Sequence, residues 1–398
     1  MREQWYGSGV YRHFKEMMWR PLMKAPARSS AFFSFFFLLL FFGGFISTRL
    51  IDTTTTIAGD SAQKSVLTTK TTHIYPHKPD EIPKKPRKKI EIPLNCTALN
   101  LTRTCPSNYP TTSPPEDPDR PSPPQCPDYF RWIHEDLRPW KATGITRRMV
   151  ESAKTTANFR LVVLNGRVYM ERYRKSFQTR DTFTLWGVIQ LLRRYPGKIP
   201  DLELMFDCVD WPVIKSEDYR GPNATDPPPL FRYCGDDATL DIVFPDWSFW
   251  GWSEINIKPW ESLLKDLKEG NKRTSYFPLQ AQVIGKAASD FIQEDLKMDY
   301  VYDYMFHLLN EYAKLLRFKP RVPRKAIEIC SEKMACTVEG LEKKFMMESL
   351  VKGPTDTSPC AMPPPYDPPA LHAFRRRKEN SIKQVEIWEK KYWDSQSK

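Results

Sequence analysis

Glycine is scarce in this chain, 16 of 398 residues against 36 prolines. That ratio excludes a collagen-like repeat. Together with 27% charged residues and a mean hydropathy of −0.55, it also excludes a polytopic membrane protein and a coiled-coil rod. The eight cysteines include no CxxC pair, which disfavours zinc ribbons and thioredoxin-like redox motifs, and they are too few for a disulfide-stapled miniprotein. HExxH, GxSxG and P-loop sequences are all missing, so metalloprotease, α/β-hydrolase and Walker NTPase readings have no footing. Histidine is sparse as well. His134, in RWIHEDLRPW, has no second histidine at metal-ligand spacing, so a structural role is expected there and no metal site. The length leaves room for two domains of roughly 100 to 200 residues each, with part of the proline-rich chain unstructured.

Long apolar runs are also rare, and the single one is informative. Residues 31 to 47, AFFSFFFLLLFFGGFIS, are seventeen uncharged positions, the short end of what crosses a hydrocarbon core of ~30 Å. The run is longer than an ordinary signal-peptide core and lacks a small-x-small exit, so an uncleaved signal anchor is expected in preference to a cleaved signal. Arg2, Arg12, Lys15, Arg20, Lys24 and Arg28 precede it against only Glu3 and Glu16, which keeps the N-terminus cytosolic and sends the rest to the lumen. The acceptor tripeptides at Asn95, Asn100 and Asn223 and all eight cysteines lie beyond the run, in keeping with a type II orientation and an oxidising compartment. The cysteines fall into three groups, Cys96, Cys105 and Cys126, then Cys208 and Cys234, then Cys330, Cys336 and Cys360, with the pairing open. No KDEL-type ending is present, so retention would rest on the anchor, which favours the Golgi over the endoplasmic reticulum.

Five segments are expected: a cytosolic tail 1–30, the anchor 31–47, a disordered lumenal stem 48–126, a folded domain 127–318 and a proline-rich extension 319–398. The basic run Lys84 to Lys89 lies in a Thr-, Pro- and Lys-rich stretch, where a solvated stem is a better reading than a nucleic-acid patch. Arg375 to Lys378 precede a possible short amphipathic helix with a charged face. From Pro127 the texture turns aromatic and apolar. Strands are expected near 159–164, 167–170, 202–209, 230–234 and 240–244, and a helix over 184–195. Alternating β and α elements make this an α/β lobe. Two amphipathic helices are expected at about 280–296 and 298–318.

Carboxylates at strand ends are the first candidates for chemistry, because ligands of open α/β sheets bind beyond those ends. Asp207 and Asp210, in FDCVDWP, sit at one such end, where a carboxylate could take a proton from a hydroxyl. Asp210 could equally start a turn before Trp211-Pro212. Asp181 precedes or opens a helix and reads as a cap or first-turn acid as readily as a base. Trp247, Phe249, Trp250 and Trp252 offer flat faces suited to stacking on sugar rings or to core packing.

The blocks WIHEDLRPW, GITRRMV, LVVLNGRVY, LELMFDCVDWP, FPDWSFWGW and ASDFIQEDLKMDYVYDYMFHLLNEYAKLL together resemble the Rumi-type protein O-glucosyltransferases and related KDEL-motif-containing glucosyltransferases, especially their plant membrane-anchored relatives. The resemblance implies an inverting transferase of two Rossmann-like lobes. Such an enzyme moves glucose or xylose from a UDP-sugar to a hydroxyl of a glycoprotein or polysaccharide, without a metal or other cofactor. Carried over by position, Asp181 is the best match for the catalytic base. Asp207, Asp210, Trp211 and the Trp247 to Trp252 loop match an acceptor-side cleft. The family has more than a hundred residues where KRTSYFPLQ joins two blocks directly, at Lys272 to Tyr276. The expectation is therefore an N-terminal lobe followed by an incomplete second lobe, in a spliced or incomplete product. Donor binding would be damaged, and the later helices would expose apolar stripes prone to aggregation. A lumenal glycan- or glycoprotein-binding protein without activity is the rival function.

Overall fold

The computed structural model describes residues 90–106, 111–112, 122–222, 224–270 and 286–396. The apolar run 31–47, the basic run 84–89, Asn223 and the junction 272–276 lie outside them. No helix among the described residues is long and apolar enough to cross a membrane.

The centre is a six-stranded sheet, β1 (Phe159–Leu164), β2 (Arg167–Arg172), β3 (Leu202–Phe206), β4 (Leu230–Arg232), β5 (Ile242–Val243) and β6 (Ile327–Ile329), in the order β5-β4-β3-β1-β2-β6. All five expected strands are present. The sheet is mixed, however, where a Rossmann-like lobe would be parallel: β3, β4 and β5 run parallel, whereas β1 is antiparallel to both neighbours. The local cause is Asn165-Gly166. Both residues adopt positive φ, +51° and +71°, as a two-residue hairpin turn matched to strand twist requires, so β2 must fold straight back on β1.

Register divides the two faces. Phe159, Leu161 and Val163 pair with Phe206, Leu204 and Leu202, giving one apolar face, and Phe159 and Phe206 stack at 5.3 Å. The alternate positions include Arg160 and Glu203, both buried. Glu203 is held by Arg160 at 3.4 Å and Arg147 at 3.2 Å, and Arg160 also reaches Glu151 at 2.5 Å. Burial still pushes the Glu203 carboxyl above its ordinary range, outweighing the two guanidiniums.

Around the sheet lie α1 (Cys96–Thr102), α2 (Trp132–Asp136), α3 (Arg147–Ser152), α4 (Arg180–Arg194), α5 (Trp260–Gly270), α6 (Met298–Leu315), α7 (Ser331–Ala335), α8 (Gly340–Glu348) and α9 (Pro368–Gln396). Thr146 caps α3 by accepting the Met149 N–H at 3.3 Å. Helix α4 is buried nearly all round. Gly187 lies so close to Trp250 that a Cβ there would come within 2.5 Å of the indole. The α4 side chains also hold the C-terminal part: Trp186 donates to Ser349 at 2.9 Å, and Arg193 donates to the Val351 carbonyl at 2.8 Å.

Three expectations change. Residues 90–106, placed in a disordered stem, are folded: Leu99 is buried, and disulfides Cys96–Cys336 and Cys105–Cys330 tie this stretch to α7 and its flanks. A third disulfide, Cys126–Cys360, completes a pattern that joins the first cysteine group to the third, while Cys208 and Cys234 are free thiols. The extension beyond 318 shares the main core through Phe345 and Met346. The apolar stripe of α6 is not exposed: Val301, Met305, Leu308, Leu309 and Tyr312 are buried, and Tyr312 packs on Phe231 and donates to the Glu203 carbonyl. The exposed stripe belongs instead to α9, which is much longer than the expected short helix. Its first turns pack through Leu371 and Phe374, and Ile382, Val385, Trp388 and Tyr392 continue the same face uncovered.

Candidate functional site

Beyond the carboxyl ends of β4 and β5 opens a cleft of 670 Å³. Its walls are the turn into α2 (Tyr129), α2 itself (Trp132, Asp136), the segments after β4 and β5 (Tyr233, Asp246) and α6 (Tyr304), with Arg375 and Lys378 of α9 at one side. This is the position where open α/β sheets bind ligands. Aromatic faces beside carboxylates suit a carbohydrate, whose C–H face stacks while its hydroxyls donate.

The carboxylates of the cleft are not equivalent. Asp241 accepts the N–H groups of Val213 and Ile214 at 3.0 and 2.9 Å and pairs with buried Arg232 at 3.4 Å. Asp237 pairs with Lys378 at 3.2 Å and Arg375 at 3.7 Å, and Glu135 with Arg138 at 3.5 Å. Asp246 caps the turn Trp247–Phe249 by accepting the Ser248 N–H at 2.9 Å. Asp136, last residue of α2, accepts a single backbone N–H, from Val243 at 3.2 Å, and has no cation at ion-pair distance among the described residues. Burial pushes its carboxyl up to about 7, with Glu135 adding to the shift and the Val243 N–H opposing it. A carboxylate titrating there can take a proton near neutral pH. Burial also raises Asp246, against the bond from Ser248.

A shelf adjoins the cleft through Tyr233, whose ring packs on Trp247 at 4.8 Å. On it Arg180 is stacked over Trp247 at 4.3 Å and Trp252 at 5.8 Å, and it pairs with Asp210 at 2.6 Å. Trp211 is exposed beside Asp210 in the chain, and Phe177, also exposed, lies against Arg180 at 5.2 Å. Trp252 donates to Gln178 at 2.9 Å, which helps hold Gln178 in its left-handed conformation.

The expected site residues are thus spread over three settings. Asp210, Trp211 and Trp252 are on the shelf, and Phe249 lines the cleft. Trp250 is core: it is fully buried and donates to the Tyr302 hydroxyl at 3.0 Å. Trp247 is buried and serves as the stacking base for Arg180. Asp207 is buried against Arg232. Asp181 is buried in the first turn of α4, accepting from the Ser176 hydroxyl at 2.6 Å and pairing with Arg172 at 3.0 Å, and it does not line the cleft. His134 bonds the Pro363 carbonyl at 3.1 Å. Asn95 immediately precedes α1 and Asn100 lies within it. Asp136 was missed by the sequence reading. It stands in the WIHEDLRPW block, but its neighbour Val243 is more than a hundred residues away in the chain.

The fold is an α/β lobe whose parallel edge carries a cleft lined by carboxylates and aromatic rings. The profile of glycosyl transferase family 90 matches residues 121–278 and 277–389, and the chain belongs to that family. Among curated relatives, it is 30% identical over 118 residues to the O-glucosyltransferase rumi homolog of Anopheles gambiae, covering 30% of this chain and 27% of the relative. Against O-glucosyltransferase rumi of Drosophila melanogaster it is 25% identical over 175 residues, 42% of this chain and 38% of the relative. Protein O-glucosyltransferase 1 of Homo sapiens is 28% identical over 127 residues, 31% and 29% of the two chains. The matched part therefore spans well under half the length of each of these relatives.

Proposed function

We propose that this chain is a Rumi-type sugar transferase, moving glucose or xylose from a UDP-sugar to a hydroxyl of a glycoprotein or polysaccharide with inversion. The lobe described above is its acceptor half. The carrying observation is the cleft beyond β4 and β5, where a carboxylate without a cation partner among the described residues shares the walls with aromatic rings in a chain of a glycosyltransferase family. In this reading the acceptor oxygen attacks the sugar C1 as the bond from C1 to the diphosphate oxygen breaks. The hydroxyl proton passes to Asp136, and UDP leaves. Asp181 holds Arg172 and the segment before α4, and the shelf of Arg180, Asp210, Trp211 and Trp252 extends the acceptor surface. The apolar run 31–47 would anchor the protein in the Golgi or endoplasmic reticulum membrane with this lobe lumenal. The resemblance to Rumi-type transferases implies transfer without a metal or other cofactor; the carboxylate would supply only the base for the acceptor hydroxyl.

A second reading, acceptor binding without transfer, is favoured by the donor side. Among the described residues no strand feeds a glycine-rich turn into a helix N-terminus, the usual cradle for a pyrophosphate. The two stretches of the family match abut at 277–278, at the junction expected to lack donor-lobe residues. Calorimetric titration with UDP separates the readings. Saturable binding with acceptor-dependent UDP release supports the transferase, and acceptor binding without UDP binding supports the second reading.

A further inference from the structure

Helix α2 turns one face to the cleft. Trp132, Glu135 and Asp136 stand at positions i, i+3 and i+4, which share a helix face, and all three line the cleft. Trp132 is braced by Tyr366 at 5.5 Å and by Phe374 of α9 at 5.9 Å, both in edge contact. Asp136 accepts the Val243 N–H, but Glu135 is held differently. Its neighbours are cations, Arg138 at 3.5 Å and Arg375 of α9 at 3.8 Å. Arg375 also lies 3.7 Å from Asp237 on the segment after β4, so one guanidinium stands between carboxylates of two cleft walls. These are charge contacts without hydrogen-bond geometry: Glu135 Oε2 and Arg375 Nε are both enclosed, and neither has a hydrogen-bond partner among the described residues. An enclosed acceptor and an enclosed donor left unmatched side by side cost free energy, and a group that bonds both removes that cost.

We propose that the acceptor is a sugar ring, one hydroxyl of which gives its proton to Asp136 while a second is held between Glu135 and Arg375. This rests on the transferase reading of the same cleft. A hydroxyl donates and accepts through one oxygen, so it can donate to Glu135 Oε2 while accepting from Arg375 Nε. Both bonds have a charged partner, which makes them stronger than bonds between neutral groups. Trp132, on the same helix face, offers its ring to the C–H face of the sugar. A serine or threonine side chain carries a single hydroxyl, which Asp136 would use, and it leaves the pair unmatched. A sugar carries several at fixed spacing on one rigid ring. Glu135 and Arg375 are therefore specificity-determining: they select the acceptor and take no proton. Because Arg375 belongs to α9, the C-terminal helix is part of the acceptor site.

The test uses the full-length chain, in calorimetry without donor and in UDP release with UDP-glucose or UDP-xylose. β-Linked tetramers of xylose, mannose and galactose stand for a polysaccharide, the core oligosaccharide of an N-linked glycan stands for a glycoprotein sugar, and a serine-containing peptide of similar size is the contrast. At least one saccharide is expected to bind saturably, more tightly than the peptide, and the set it comes from identifies the source. Versions of that saccharide lacking one hydroxyl each are then compared in the unmodified chain, Glu135→Ala and Arg375→Lys, with near-ultraviolet spectra as the check on fold. One of these deletions should lower affinity about tenfold or more in the unmodified chain, the worth of a hydrogen bond to a charged group. The same deletion should change affinity less than about twofold in Glu135→Ala, where its partner is already gone. Arg375→Lys, which keeps the charge and loses Nε, should also blunt it.

Equal losses in all three proteins overturn the proposal, since the pair is then matched by water and not by the ligand. So does a peptide that binds as tightly as every saccharide, or the absence of saccharide binding. UDP release with the peptide alone overturns it as well and leaves the transferase reading standing. The expected pattern of losses without any UDP release supports the sugar site and sinks the transferase reading instead.

Discussion

Asp136 shows how a residue with an ordinary sequence acquires chemistry from its surroundings. Ordinary aspartate titrates near 3.8, and this one is pushed up to about 7 by burial. Between those values the folded chain holds a proton that the unfolded chain has released, so stability falls as pH rises from about 4 to 7 and the loss is complete above that. Burial also raises Asp241, Asp246, Asp303 and Glu203, and they act in the same direction. The melting temperature is therefore expected to be lower at pH 8 than at pH 5. Asp136→Asn, neutral at both, should narrow that difference in paired melting curves, and an unchanged difference would remove the physical basis for its role. The same residue marks a limit of sequence reading. Asp181, Asp207 and Asp210 stand out as strand-end or helix-start acids, but Arg172, Ser176, Arg232 and Arg180 engage them across the fold, and no local pattern shows which carboxylate is left without a cation partner.

At the scale of elements, local signals were strong where the chain is self-sufficient. The Asn-Gly pair between two β-branched runs and the apolar spacing of α4 and α6 each place an element within a few residues. Strand direction is different, because parallel pairing of β3, β4 and β5 depends on partners tens of residues apart. The length of α9 was underread because Pro368 and Pro369 suggest a loop, although proline is well tolerated in the first turn of a helix. Its uncovered half carries Ile382, Val385, Trp388, Tyr392 and Trp393 on or beside one face. Ending the chain after Ser381 keeps the Arg375 and Lys378 ion pairs to Asp237 while removing that surface. Light scattering should then show less concentration-dependent association with an unchanged near-ultraviolet spectrum. Loss of the spectrum would mean that the distal half supports the fold.

Across the whole molecule, three long-range disulfides join Cys96, Cys105 and Cys126 to the last quarter of the chain, and that closure turns residues 90–106, expected in the stem, into part of the domain. Grouping of cysteines was legible in the sequence, but pairing was not, because it depends on α7 packing beside α1. The bridges span 225 to 240 residues, and closing loops of that length is worth roughly 5 kcal/mol each in the chain-entropy description. The 105–330 loop nests inside 96–336 and the 126–360 loop overlaps both, so their contributions do not simply add. Cys96→Ser should lower the urea midpoint clearly while leaving the secondary structure in place, and an unchanged midpoint would argue that the 90–106 segment is not part of the cooperative unit.

The central claim concerns the cleft and its carboxylate. Acceptor-dependent release of UDP from UDP-glucose or UDP-xylose, measured for the unmodified chain and for Asp136→Asn at matched folding, tests it most directly. Loss of a positioned base costs about 10² to 10⁴ in rate, so Asp136→Asn should fall at least a hundredfold. Equal rates for the two proteins would contradict the account.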